Sequence, residues 1–86
     1  MTHPHLTELT RRTDPHTFIV YILYQQSYPD RIGYSIAVSD TLGHRSFAED
    51  LTDDRDAAER FLQLLSEEAA EPCHLLDFIE DALPLR

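Results

Sequence analysis

The side chains most able to do chemistry lie near the end of the chain, in residues 74–81. His74, Asp77, Glu80 and Asp81 are spaced so that they share one face of a helix. An imidazole beside three carboxylates is a donor set for a divalent metal or for acid–base catalysis. The same spacing is typical of the solvated polar face of an amphipathic helix, and we favour that simpler interpretation.

The remaining candidate groups have weaker patterns. Cys73 directly precedes His74, a spacing that fits no common zinc motif. As a nucleophile Cys73 lacks a base, since neighbouring helical residues point about 100° apart. The N-terminal region adds three histidines, which we expect to bind metal only adventitiously: His3, His5 and His16. We therefore predict no catalytic residue, no metal site and no cofactor.

The elements that must position these residues follow a β-β-β-α-α order. Residues 18–28 are mostly β-branched or aromatic, residues 32–39 alternate apolar and small, and residues 44–51 form a weaker third strand. Apolar residues then recur at helical spacing over about 53–68 and 73–83. The fold class predicted is α+β, with a three-stranded antiparallel sheet followed by two helices packed on one face.

Two helices can cover only one face of such a sheet, and the first strand is apolar on both. We predict that Ile19, Tyr21 and Leu23 lie on the uncovered face, next to small residues of the second strand. An exposed apolar patch of this kind indicates an interface, which a second copy or the N-terminal arm would cover. The alternative is an apolar face left in solvent, with its tyrosine hydroxyls in water.

Length and charge limit the domain organisation and the partners. The 86 residues fit one domain, with residues 1–16 as a flexible arm or edge strand and residues 17–86 as the α+β domain. The net charge is −9, all of it in the second half, where residues 49–86 hold twelve acids and three arginines. Such a surface repels phosphate backbones and anionic lipids, so we predict neither nucleic-acid nor membrane binding.

Cysteine usage and hydropathy indicate a compartment. A single cysteine allows no internal disulfide, and the longest apolar run, residues 18–24, is too short to span a bilayer. A cytoplasmic location is expected.

Three segments together resemble a known group of proteins. They are Tyr-Ser-Ile-Ala-Val at 34–38, Leu-Thr-Asp at 51–53 and the ending at 74–81, in that order. This arrangement is similar to a group of short bacterial proteins, mostly from Gram-positive anaerobes, that form a domain of unknown function. The similarity covers about residues 32–83. It implies a bacterial cytosolic setting and no catalytic residue.

The function predicted is that of a small non-enzymatic interaction or regulatory domain, most simply a homodimer, with an unidentified protein partner also possible. Its candidate interaction surface combines the uncovered sheet face with the polar side of the last helix: Ile19, Tyr21, Leu23, His74, Asp77, Glu80 and Asp81. Two alternatives stay open. One is a metal-binding protein or enzyme that uses the histidine and carboxylates of the last helix, and the other is an acidic mimic that occupies a nucleic-acid-binding protein.

Overall fold

Four strands form one antiparallel sheet in the computed structural model, which describes residues 5–82. They pair in chain order and are β1 (His5–Thr13), β2 (Val20–Ser27), β3 (Ile32–Ser39) and β4 (Arg45–Thr52). Helix α1 (Arg55–Glu67), a 3₁₀ turn (Pro72–His74) and helix α2 (Leu75–Ala82) follow. The prediction of an α+β fold with helices packed against an antiparallel sheet is confirmed. The predicted end of the last helix at residue 83 lies outside the described residues.

The predicted number of three strands is wrong. Residues 5–13 form a fourth strand, which pairs with β2 at the edge of the sheet. Only Leu6 and Leu9 are apolar in this segment, so no alternation marks it as a strand. Its threonines nevertheless favour extended structure. The register shifts between Glu8 and Thr10, as in a β-bulge, and Leu9 packs against the core.

The register of β2 against β3 decides which side chains face the helices. Ser27 lies opposite Ile32 across a four-residue turn, so odd-numbered residues of β2 share a face with even-numbered residues of β3. Tyr21 therefore lies opposite Val38, and Leu23 opposite Ile36. These side chains are buried in one core with those of α1, the largest being Phe61, Leu62 and Leu65.

The prediction that Ile19, Tyr21 and Leu23 lie on the uncovered face is therefore wrong. All three are buried in the core, and the uncovered face instead takes Ile22 and Tyr24. The cause is that residues 18–24 are all apolar, so both faces of this stretch carry apolar side chains and the sequence does not show which face the helices cover.

Local hydrogen bonds explain where α1 begins and ends. The Asp54 carboxylate accepts from the amides of Asp56 and Ala57, so it caps the first turn. At the other end the Ala69 amide donates to the Ser66 carbonyl and the Ala70 amide donates to the Leu65 carbonyl. This is the hydrogen-bond pattern of a Schellman motif, with Ala69 in the left-handed conformation at φ 49°.

Candidate functional site

The predicted sheet residues act as core rather than as surface. Tyr21 is fully buried, and its hydroxyl donates to the Ala70 carbonyl at 2.9 Å. Burial raises the pKa of Tyr21 to about 12, and the negative charges of Asp14 and Glu71 add to the effect. The hydroxyl thus ties the sheet to the connection between α1 and the 3₁₀ turn.

The predicted residues of the last helix are all exposed. His74 ends the 3₁₀ turn, while Asp77, Glu80 and Asp81 lie on α2. Among residues 5–82, no hydrogen bond or ion pair involves any of these three carboxylates. This geometry is that of a solvated polar face.

The sheet face opposite the helices, here called the outer face, contains an apolar depression. Ile22 forms its floor at 9% exposure, whereas Leu6 and Phe47 at its rim are 45% and 49% exposed. The Phe47 ring meets the Tyr24 ring edge to face, with centroids 6.3 Å apart. The depression has a volume of about 440 Å³. Its lining is Leu6, Ile22, Tyr24, Ala37, Val38, Ser39, Arg45, Ser46 and Phe47.

The end of the outer face near the β2–β3 turn is closed by a polar network. Gln26 and Ser35 are buried there, and the Ser35 hydroxyl donates to the Gln26 side-chain carbonyl. The backbone amide of Asp50 donates to both side chains, and the Gln26 amide donates to the Glu49 carboxylate. Because each buried side-chain nitrogen or oxygen within residues 5–82 has a hydrogen-bond partner, this end is satisfied internally. The apolar depression is therefore confined to the rest of the face.

An irregularity in β4 brings Asp50 onto this network. Asp50 has a positive φ of 53°, and its carboxylate forms a bidentate ion pair with Arg31 at 2.6 and 2.8 Å. The same carboxylate occupies the space where a side chain at Gly33 would begin, so a larger residue at that position would displace the carboxylate from Arg31. The Arg31 guanidinium also lies 4.2 Å from the centre of the Tyr28 ring.

A second depression, of about 200 Å³, lies between the β3–β4 turn and the 3₁₀ turn. Asp40 and His44 line it from the first turn, and Glu71, Pro72 and Cys73 from the second. The Glu71 carboxylate, the Cys73 thiol and the His74 ring bring donor atoms within 4.8 Å of one another. This group could not be predicted from the sequence, because the spacing of Glu71, Cys73 and His74 matches no common zinc motif.

The Asp40 carboxylate organises its own turn. It accepts hydrogen bonds from the amides of Leu42 and His44, and its second oxygen lies 2.9 Å from Nδ1 of His44. Partial burial acts to raise the pKa of Asp40, but the hydrogen bonds from His44 and from the backbone amides outweigh it and lower that pKa. The His44 ring is thereby held through Nδ1.

Comparisons with known proteins give no further guidance. No family model, curated protein or solved structure matches the chain. The resemblance to short bacterial proteins therefore stays a prediction. Within residues 5–82, neither helix has the length and apolar character needed to cross a bilayer.

Proposed function

We propose that this chain is a non-enzymatic interaction domain that self-associates through its outer face. The observation that carries the proposal is the apolar depression on the side of the sheet that the helices leave uncovered. Phe47 and Leu6 keep about half of their surface in water there, whereas the apolar side chains beneath the helices are buried. Burying such side chains against a partner contributes a favourable free energy of about 25 cal/mol for each Å² of apolar surface removed from water.

The dimensions of the sheet are compatible with a small dimer interface. Four strands at about 4.8 Å spacing and eight residues at about 3.3 Å rise give a face of roughly 500 Å². Two copies would bury about 1,000 Å² in total, near the lower limit for specific interfaces. We therefore expect a dimer that dissociates at low protein concentration.

The charge distribution favours a second copy as the occupant. Although the chain carries a net charge of −9, the outer face and its polar end are neutral. Three arginines balance three acids there: Glu8, Arg11, Arg31, Arg45, Glu49 and Asp50. Contact through this face brings the two copies together where their mutual repulsion is smallest.

The geometry around the cysteine supports a non-enzymatic role. The Cys73 thiol lies 3.8 Å from the Glu71 carboxylate. In the described part of the chain, no hydrogen bond joins this thiol to a ring nitrogen of His44 or His74. In a nucleophile that is preorganised for catalysis, a base commonly makes that contact.

Light scattering over a concentration series tests the proposal. The wild-type chain should approach twice its 10.0 kDa mass as concentration rises. Phe47→Glu places a charge at the rim of the depression and should keep the chain monomeric, with circular dichroism confirming that it is folded. Leu76→Glu is the matched control, because Leu76 is 72% exposed on α2 and should leave the dimer intact.

Two results contradict the proposal. One is a wild-type chain that stays monomeric up to millimolar concentration. The other is a dimer that survives Phe47→Glu but dissociates in Leu76→Glu, which would move the interface to the helical side.

A further inference from the structure

We propose a zinc site at the edge of the second depression, with Glu71, Cys73, His74 and His44 as ligands. The first three already bring a carboxylate oxygen, a thiol sulfur and an imidazole nitrogen within 4.8 Å of one another. Around a tetrahedral zinc ion, with bonds of about 2.0–2.3 Å, ligand atoms lie roughly 3.3–3.8 Å apart. Side-chain rotations that move the donors by about 1 Å are enough to close this gap.

The backbone beneath these donors is fixed, so the cluster is not an accident of three free side chains. Pro72 is buried and its carbonyl accepts a 2.7 Å hydrogen bond from the Ser46 hydroxyl of β4. The His74 amide donates to the Glu71 carbonyl at 2.9 Å, which closes the 3₁₀ turn. Glu71 and His74 thus flank Pro72 and Cys73 at fixed backbone positions, with their donor atoms close together.

We assign His44 as the fourth ligand because it lines the same depression as Glu71 and Cys73, although its ring lies outside the group of three and the ligands of the 3₁₀ turn have to rotate towards it. Its Nδ1 lies 2.9 Å from the Asp40 carboxylate, which leaves Nε2 as the metal-binding nitrogen. A histidine that ligates zinc commonly donates its other ring N–H to a carboxylate, which fixes the tautomer and strengthens the ligand. Asp40 is thus a positioning residue that supports the site through His44.

The chemistry of the donor set selects the metal. A thiolate together with imidazoles suits zinc, whereas magnesium and calcium prefer oxygen ligands alone. Binding requires the thiolate form of Cys73 and the neutral imidazole of both histidines, so zinc displaces protons and its affinity falls on acidification. The ion would join the β3–β4 turn to the 3₁₀ turn, beside the hydrogen bond that already links Ser46 of β4 to the Pro72 carbonyl.

Metal titration of the full chain under reducing conditions tests the site. Calorimetry with Zn²⁺ should give one ion per chain, and Co²⁺ should give the absorption band of cobalt bound to a thiolate. Cys73→Ser should abolish the cobalt band. His44→Gln and His74→Gln should each lower zinc affinity at least tenfold, and Asp40→Asn should lower it about 10- to 100-fold through its effect on His44.

The histidines of the N-terminal arm supply the matched control. A variant with His3, His5 and His16 all changed to Gln should bind zinc as the wild-type chain does. The proposal is overturned if the wild-type chain binds no zinc or if this control loses binding. It is also overturned if Cys73→Ser or His44→Gln keeps full affinity.

Discussion

Replacing Tyr21 by phenylalanine removes one hydroxyl from the centre of the molecule and leaves the rest of the ring in place. In the wild-type protein that hydroxyl donates to the Ala70 carbonyl across 49 positions of sequence. Both residues are buried, so water does not replace the lost donor. A buried acceptor left without its partner costs about 1–3 kcal/mol. For a chain of this size the melting temperature should fall by roughly 5–20 °C.

The same substitution should change the response of stability to alkaline pH. Burial raises the pKa of Tyr21 to about 12 in the folded protein, above its ordinary value of about 10. The folded state therefore favours the protonated phenol, and this contribution is complete below pH 10. It is lost as pH rises through 12 and amounts to about 2–3 kcal/mol. Tyr21→Phe carries no ionisable group there, so its stability should fall less steeply over this window.

Urea unfolding at pH 7 and at several values between pH 9 and 11.5 measures both effects. The matched control is Tyr24→Phe, because Tyr24 is only partly buried on the outer face and no hydrogen bond of its hydroxyl is among those of residues 5–82. Its unfolding free energy should change by less than about 0.5 kcal/mol. If Tyr21→Phe is as stable as Tyr24→Phe, the hydrogen bond from the Tyr21 hydroxyl to the Ala70 carbonyl does not stabilise the fold. If both variants lose stability in parallel with the wild-type chain above pH 10, the burial argument for the pKa fails.

Three further substitutions test local features by thermal or urea unfolding. Gly33→Ala should destabilise by about 0.2–1 kcal/mol, because its methyl group displaces the Asp50 carboxylate from its partly exposed ion pair with Arg31; an unchanged free energy would refute the close approach. Ala69→Gly should stabilise by about 0.5–1 kcal/mol, since glycine adopts the left-handed conformation at the end of α1 without strain, and a loss of stability would contradict this. Asp54→Ala should cost about 0.5–2 kcal/mol by removing the helix cap, whereas no loss would show that water satisfies those amides equally well.

Elements with a clear period could be predicted from the sequence. The boundaries of β3 agree with the predicted strand, because four alternating apolar residues define one buried face: Ile32, Tyr34, Ile36 and Val38. Ile32 alone departs from the pattern, with nearly half its surface exposed at the strand end. The helices were likewise predictable from apolar residues at i, i+3 and i+4, which α1 buries as Ala58, Phe61, Leu62 and Leu65.

The faces of β2 could not be predicted in the same way. Its first five residues, 20–24, are all apolar, so either orientation buries an apolar set, and the choice depends on the register fixed by the β2–β3 turn. Buried polar residues pose a similar problem. Gln26 and Ser35 are buried because the amide of Asp50 reaches them from a distorted strand at positive φ. Nothing local to either residue indicates that partner.

The two proposed surfaces consist of different residues, so a substitution in one surface tests that surface alone. The apolar depression and the second depression share no lining residue. A charge at Phe47 therefore leaves every proposed zinc ligand in place, and Cys73→Ser leaves the outer face in place. Both surfaces nevertheless depend on β4, because Ser46 borders the outer depression and its hydroxyl holds the carbonyl of Pro72 beneath the zinc ligands. A variant of Ser46 that affected self-association and zinc binding together would consequently report on that shared strand, whereas Phe47 and Cys73 each report on one surface alone.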